Sequence, residues 1–125
     1  MEKKVIHTKD HEYTFINTAY STHNGFAHHT VLFEDDSPYE IAQNTIHYLN
    51  RTWESYTYQT VMTGCVNYLL DVREKYLINT FKAQNNISRL TKKYHEKIQD
   101  ILNNDSTYQD LFELKKALKW KDMTY

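Results

Sequence analysis

The dipeptide Asn24-Gly25 constrains the fold of this chain more than any other feature of its sequence. A two-residue hairpin turn of type I′ needs a positive φ at both central positions, which Asn and Gly tolerate best. The runs on either side, EYTFINTAYST and FAHHTVLFE, are rich in β-branched and aromatic residues. The pattern therefore predicts an antiparallel hairpin that turns at Asn24-Gly25.

The register of this hairpin decides which side chains share a face. We expect the core on the face that pairs Ile16 with Phe33, Thr18 with Val31 and Tyr20 with His29. The other face is more polar and is expected to meet solvent; it carries Phe15, Asn17, Ser21, His23, His28 and Glu34.

Further elements are predicted on both sides of the hairpin. Residues 3 to 8, KKVIHT, are expected to add an edge strand through a turn near Lys9-Asp10, since edge lysines discourage unwanted pairing. Ser37-Pro38-Tyr39-Glu40 is typical of a helix start, with a capping Ser, Pro at the first helical position and Glu three residues after the cap. A first helical face is expected from the series Ile46, Leu49, Trp53 and Tyr56.

A second apolar series predicts a helix that runs to about residue 84 and buries Tyr58, Val61, Cys65, Tyr68, Val72 and Tyr76. Either Asn85-Asn86 breaks this helix, or residues 58 to 102 form one continuous helix. Residues 103 to 105, Asn-Asn-Asp, end that helical region. The capping pattern of residues 106 to 109, Ser-Thr-Tyr-Gln, predicts a last helix that buries Leu111, Leu114 and Leu118.

Together these patterns predict an α+β fold with a small antiparallel sheet of two to three strands followed by three to four helices. Because the chain has two Gly, one Pro and no linker-like tract, we expect a single domain over residues 1–125. Residues 1–35 would form the hairpin or meander, and residues 37–122 the helical part.

Catalytic patterns are scarce in the sequence. The single cysteine, Cys65, lies in the apolar series and is expected to be a buried, inert thiol. The two isolated glycines, Gly25 and Gly64, cannot form a glycine-rich phosphate loop. In the predicted register His23 and His28 are diagonal neighbours, which either clasp a metal or are plain exposed strand histidines. We expect no catalytic residue, no bound metal or cofactor and no enzyme.

Composition and charge indicate the cellular setting and a candidate contact surface. One cysteine and the lack of any long apolar run predict a cytoplasmic protein without a membrane segment. Basic residues are concentrated between positions 73 and 97. On a continuous helix Lys75, Lys82, Arg89 and Lys93 would form one stripe, which is either a solvated face or a contact for nucleic acid or an acidic protein surface. Lys97 would extend this contact.

The segment NRTWESYTYQT, residues 50 to 60, gathers aromatic side chains in an otherwise polar stretch. Trp53, Tyr56 and Tyr58 continue apolar series at helical spacing and are expected to be core or half-core. The alternative is an exposed anchor next to Arg51, because Trp, Tyr and Arg lead interface hot spots. Tyr56, Tyr58 and Arg51 are therefore binding candidates.

The segment YLNRTWESYTYQTV, residues 48 to 61, resembles a block found in small phage and plasmid proteins of low-G+C Gram-positive bacteria. That set includes anti-CRISPR inhibitors of the type II effector nuclease. The resemblance implies a stoichiometric inhibitor that binds the host nuclease or its guide-RNA complex in the host cytoplasm. It carries no functional residue over to this chain.

Two other functions compete with inhibition. One is a nucleic-acid-binding accessory protein of a mobile element, whose affinity for naked DNA or RNA would depend on salt. The other is a small metal-dependent nuclease that uses His23 and His28. The sequence leaves the oligomeric state open, and long helices with apolar faces and a hairpin edge are compatible with a homodimer.

Overall fold

The computed structural model describes residues 1–48 and 54–119, with the side chains of residues 54–57 left out. Within these ranges an antiparallel sheet of strand order β1-β2-β3-β4 precedes three α-helices, so the predicted α+β class is confirmed with one strand more than expected. The elements are β1 (Glu2–His7), β2 (Glu12–Thr22), β3 (Gly25–Glu34), β4 (Glu40–Tyr48), α1 (Glu54–Gln84), α2 (His95–Asn104) and α3 (Ser106–Ala117). A short 3-10 helix, Lys92–Tyr94, leads into α2.

The hairpin exists, but its predicted register is wrong by two positions. Thr22 pairs with Gly25, so the turn residues are His23 and Asn24. Gly25 has a φ of 147°, a conformation that a residue with a Cβ rarely adopts, and this places Gly at the start of β3 instead of inside the turn. As a result Ile16 pairs with Val31.

The buried face of the sheet is the one that the sequence analysis assigned to solvent. Phe15, Asn17 and Thr30 are fully buried on this inner face, and His28 is nearly so. Its polar members are satisfied locally, because the Thr30 hydroxyl donates to Asn17 Oδ1. Both faces of the hairpin carry apolar side chains, so the alternation of apolar and polar residues does not show which face is buried. The buried face is the one on which the helices pack.

The predicted helix start at residue 37 is wrong, since residues 40–48 form strand β4. Ser37 instead helps to close the β3–β4 turn: its backbone N–H donates to the Glu34 carbonyl and its Oγ accepts from Tyr39 N. The segment fits a period of two as well as one of 3.6. Strand pairing prevails because it satisfies the backbone groups at the edge of β3.

Helix α1 packs its first half across the inner face of the sheet. Tyr58, Val61 and Cys65 are buried there, as predicted. Further along α1 the buried positions are Val66, Leu70 and Phe81, which lie on another side of the helix. Tyr68, Val72 and Tyr76, predicted to be core, are therefore exposed.

The residues that directly follow α1 set its end. Asn86 has a φ of 52°, and Ile87 N donates to the Lys82 carbonyl at 2.9 Å, which closes the last turn. The predicted break at Asn85-Asn86 is confirmed, and the alternative of one helix over residues 58–102 is wrong. A second small core of Phe81, Ile98 and Leu102 joins the far half of α1 to α2.

Helix α3 follows the prediction closely, with Leu111, Leu114 and Leu118 buried against the main core. Its cap differs, because Asp105, and not Ser106, accepts a hydrogen bond from the N–H of Tyr108. Among the described residues, no helix is long and apolar enough to cross a membrane.

Candidate functional site

A groove of about 460 Å³ opens between the end of the sheet, the middle of α1 and the first turns of α3. Most of its wall is apolar or aromatic, and charged groups stand at its mouth. The lining consists of His11, Tyr13, Glu34, Ile41, Leu69, Val72, Arg73, Tyr76, Thr107 and Leu111.

A row of exposed apolar residues on α1 reaches this groove. Tyr68, Val72 and Tyr76, which we call the helix stripe, expose 59%, 46% and 57% of their surface, and Val72 and Tyr76 line the groove. They recur every four residues and therefore lie along one side of the helix. The Arg73 guanidinium sits 5.0 Å from the Tyr76 ring centre, which holds that ring at the edge of the groove.

His11, Glu34 and Asp35 form an acid–histidine cluster at the mouth of the groove. His11 Nδ1 lies 3.0 Å from Asp35 Oδ2 and 3.6 Å from Glu34 Oε1. The hydrogen bond to Asp35 raises the pKa of His11. The pKa of Asp35 is lowered, first by the backbone N–H of Glu12 and then by His11.

One donor atom from each cluster residue lies within 4.8 Å of the others, a spacing from which three ligands could reach a cation. Both Asp35 oxygens already accept hydrogen bonds, from His11 and from Glu12 N. The cluster thus acts as a clasp that fastens the β1–β2 connection to the β3–β4 turn.

Beneath the cluster, the buried carboxylate of Asp110 ties α3 to the same connection. Asp110 Oδ2 accepts from the Thr8 hydroxyl at 2.7 Å and from the Tyr13 hydroxyl at 2.9 Å, and Oδ1 accepts from Asp10 N at 3.2 Å. Burial and the nearby carboxylate raise the pKa of Tyr13. These contacts fix the floor of the groove.

The opposite end of the groove is set by Arg73 and Asp105. Arg73 Nε and Nη2 donate to the two Asp105 oxygens at 3.0 and 2.9 Å, which links α1 to the start of α3. The groove therefore lies between two rigid polar clasps, with apolar walls between them.

The predicted basic stripe does not form, because the chain leaves the helix after Gln84. Lys75 pairs with Asp71 at 3.0 Å, and Lys82 lies in the last turn of α1. Arg89 is exposed in the connection, and Lys93 Nζ sits 5.4 Å from the Tyr94 ring centre. Lys97 is exposed on α2. Apart from Lys75, which lies further back on α1, these residues are at or near the α1–α2 connection, and none of them lines the groove.

The structure describes only part of the predicted aromatic anchor. Tyr58 is buried in the main core, as the core interpretation expected. Trp53 and Arg51 lie outside the described residues, and so does the side chain of Tyr56.

The predicted pairing of His23 with His28 is wrong. His28 lies under α1, with its ring 5.5 Å from that of Tyr48 and 4.9 Å from that of Tyr58. His23 is exposed in the turn. The two were predicted to be neighbours because the predicted register of the hairpin was wrong by two positions. Cys65 is fully buried, and burial raises its pKa to about 11, so its thiol is not a nucleophile at neutral pH.

Sequence reasoning missed both the groove and the acid–histidine cluster. His11 and Asp35 are 24 positions apart, and only the pairing of β2 with β3 brings them together. The exposure of the helix stripe was also missed, because its residues share the helical phase of the buried Val61 and Cys65.

Comparison of the chain with protein-family models, curated proteins and solved structures found no match to any of them.

Proposed function

We propose that this chain is a non-catalytic binding protein that docks onto a host protein through the helix stripe and the groove. The target that the resemblance of residues 48 to 61 implies is a type II CRISPR effector nuclease, alone or with its guide RNA, in the host cytoplasm. Inhibition would follow from occupying a surface that the nuclease needs.

The observation that carries this proposal is the exposed apolar face of α1. Tyr68, Val72 and Tyr76 continue a series that is core in the first half of the helix, and they stand open beside a groove with apolar walls. Contiguous exposed apolar surface with a polar rim is typical of protein interaction sites. Tyr and Arg, both present here, are enriched in interface hot spots.

The chemistry of the described residues also favours binding over catalysis. Cys65 is buried and protonated at neutral pH. The acid–histidine cluster and Asp110 use their hydrogen bonds to connect elements of the fold. These contacts keep the surface around the groove rigid.

The first experiment is size-exclusion co-elution with a type II effector nuclease, apo and guide-loaded, paired with a DNA-cleavage assay. We expect co-elution and loss of cleavage. Replacing both Tyr68 and Tyr76 by Ala should weaken inhibition by about 30-fold or more, because two aromatic anchors are lost. The matched control is Tyr39→Ala, since Tyr39 is also exposed but lies in the β3–β4 turn.

If the double variant inhibits the nuclease as strongly as the wild type does, the helix stripe is not the binding surface. No co-elution with several orthologous nucleases would reject the target. Preference for the apo or the loaded nuclease would show which step is blocked.

A second candidate function is nucleic-acid binding through the α1–α2 connection. Arg89, Lys92, Lys93 and Lys97 are exposed there, and none has an ion pair within residues 1–48 and 54–119. Such uncompensated positive charge suits a phosphate backbone.

Titration with naked DNA and RNA at two salt concentrations separates the candidates, because a steep loss of affinity for naked nucleic acid with salt is expected of this function alone. Charge reversal at Lys82, Arg89 and Lys93 together should abolish that binding without unfolding.

A further inference from the structure

The sheet has a second face, which the helices leave uncovered. Antiparallel pairing places Ile16 beside Val31, and Thr14 beside Phe33, on the side opposite the buried Phe15 and Leu32. We call this the outer face. Among the described residues, Ile16, Val31 and Phe33 belong to neither core cluster.

The centre of the outer face is apolar and uncharged. Around Ile16, Val31 and Phe33 stand polar side chains that pair across the strands, none of them Asp, Glu, Lys or Arg: Thr14, Thr18, His29, Gln43 and Thr45. His29 Nδ1 and the Thr45 hydroxyl are 2.6 Å apart and satisfy each other. A centre depleted in charge, with polar groups already paired, is the composition of an interface core.

The charges of the outer face lie at its edges and have opposite signs. Lys3 belongs to β1 and pairs with Ile16, whereas Glu40 belongs to β4 and pairs with Phe33. Both are exposed, and neither has an ion pair in the part of the chain that the structure describes. A twofold axis parallel to the strands would lay β1 of one protomer over β4 of its partner. That arrangement brings Lys3 of each protomer toward Glu40 of the other.

The size of the face fits a weak, reversible pair. Strands about 4.8 Å apart with a rise of about 3.3 Å per residue give the four strands, between Thr14 and Tyr20, a projected area on the order of 400 Å². Two such faces would bury on the order of 800 Å² in total, which is the size of a weak, reversible interface.

We infer that this protein forms a homodimer in which the outer faces of two sheets pack against each other, with β1 of one protomer over β4 of its partner. Two stacked sheets enclose a core about 10 Å thick, built from Ile16, Val31 and Phe33 of both protomers. The dimer leaves the groove and the helix stripe open on the helix layer of each protomer. The inference does not rest on the proposed function.

The test is sedimentation equilibrium of the full chain over a wide concentration range. We expect a dimer, and we expect Val31→Lys to raise its dissociation constant by about 100-fold or more, because each new lysine would be buried unpaired against the apolar centre of the partner's outer face. Val72→Lys is the matched control, since it adds the same charge to an exposed valine on the helix layer. It should leave the dimer unchanged.

Reversing the charges of Lys3 and Glu40, at the edges of the outer face, tests how the two protomers are oriented in the dimer. Lys3→Glu should weaken the dimer by about three- to tenfold, and adding Glu40→Lys should restore it. These residues are exposed, so the pair remains informative even where Val31→Lys impairs folding, which circular dichroism would show.

A monomer at every concentration would overturn the inference. A dimer that survives Val31→Lys, or that Val72→Lys dissolves, would also overturn it and would place the contact elsewhere. Loss of nuclease inhibition, but not of dimer, on Val31→Lys would make the outer face a docking site for another protein.

Discussion

At the scale of single residues, Gly64 shows how closely α1 approaches the sheet. Asn44 of β4 points at the helix and donates from Nδ2 to the Val61 carbonyl at 3.1 Å. A Cβ at position 64 would clash with that same Nδ2. A side chain at position 64 would therefore displace the Asn44 amide from this hydrogen bond, whereas Gly leaves room for it, although Gly weakens a helix by about 1 kcal/mol relative to Ala.

We expect Gly64→Ala to destabilise the protein by about 1–2 kcal/mol, because displacing Asn44 breaks a half-buried hydrogen bond and outweighs the gain in helix propensity. In an Asn44→Ala background the obstacle is gone, and the same substitution should stabilise by about 1 kcal/mol. Urea denaturation of the four proteins measures this change of sign. An equal effect in both backgrounds would show that Asn44 does not limit the approach.

At the scale of elements, Asp105 joins two helices with one carboxylate. It caps α3 by accepting from Tyr108 N at 2.8 Å, and it binds the Arg73 guanidinium of α1 through both oxygens. The hydrogen bonds from Arg73 lower its pKa below the ordinary value of 3.8. The stability that this charge contributes is therefore present above the unfolded pKa and is lost as the pH falls through the folded pKa.

Asp105→Ala should cost about 2–3 kcal/mol and Asp105→Asn about half as much, because Asn keeps a capping oxygen but loses the charge. The difference between the wild type and Asp105→Asn should be full at neutral pH and shrink below about pH 4. Urea denaturation at several pH values measures it. A difference that does not change with pH would mean that the charge of Asp105 adds nothing.

At the scale of the whole molecule, Asp110 connects the two ends of the chain. Its carboxylate accepts from Thr8 and Tyr13, residues 102 and 97 positions away, and so holds α3 against the start of the sheet. Three donors converge on one buried acceptor, and removing it would leave them without their partner.

Asp110→Ala is expected to lower the free energy of unfolding by about 2–4 kcal/mol, since the buried Tyr13 hydroxyl and the half-buried Thr8 hydroxyl lose their acceptor. Glu113→Ala on the same helix is the control and should change it by less than about 0.5 kcal/mol, because the ion pair of Glu113 with Lys116 is exposed. Chemical denaturation compares the two. Similar losses for both variants would show that the buried network does not stabilise the molecule.

Local chemistry made part of this fold predictable. The break after Gln84 follows from Asn86, whose side chain tolerates positive φ, and the last helix follows from a leucine series of period 3.6. Strand β4 was missed because Ser37-Pro38 is compatible with both a helix start and a turn. The outer-face residues Ile16 and Phe33 were taken for core because their apolar character does not say which layer covers them.

The presence of a hairpin, the break after Gln84 and the last helix could be predicted from the sequence, since each depends on neighbours a few positions apart. The buried face of the sheet, the acid–histidine cluster, the groove and the helix stripe could not be predicted. They depend on strand register and on how α1 and α3 pack against the sheet, which local patterns do not specify. Residues such as His11 and Asp35 become neighbours only through contacts distant in sequence.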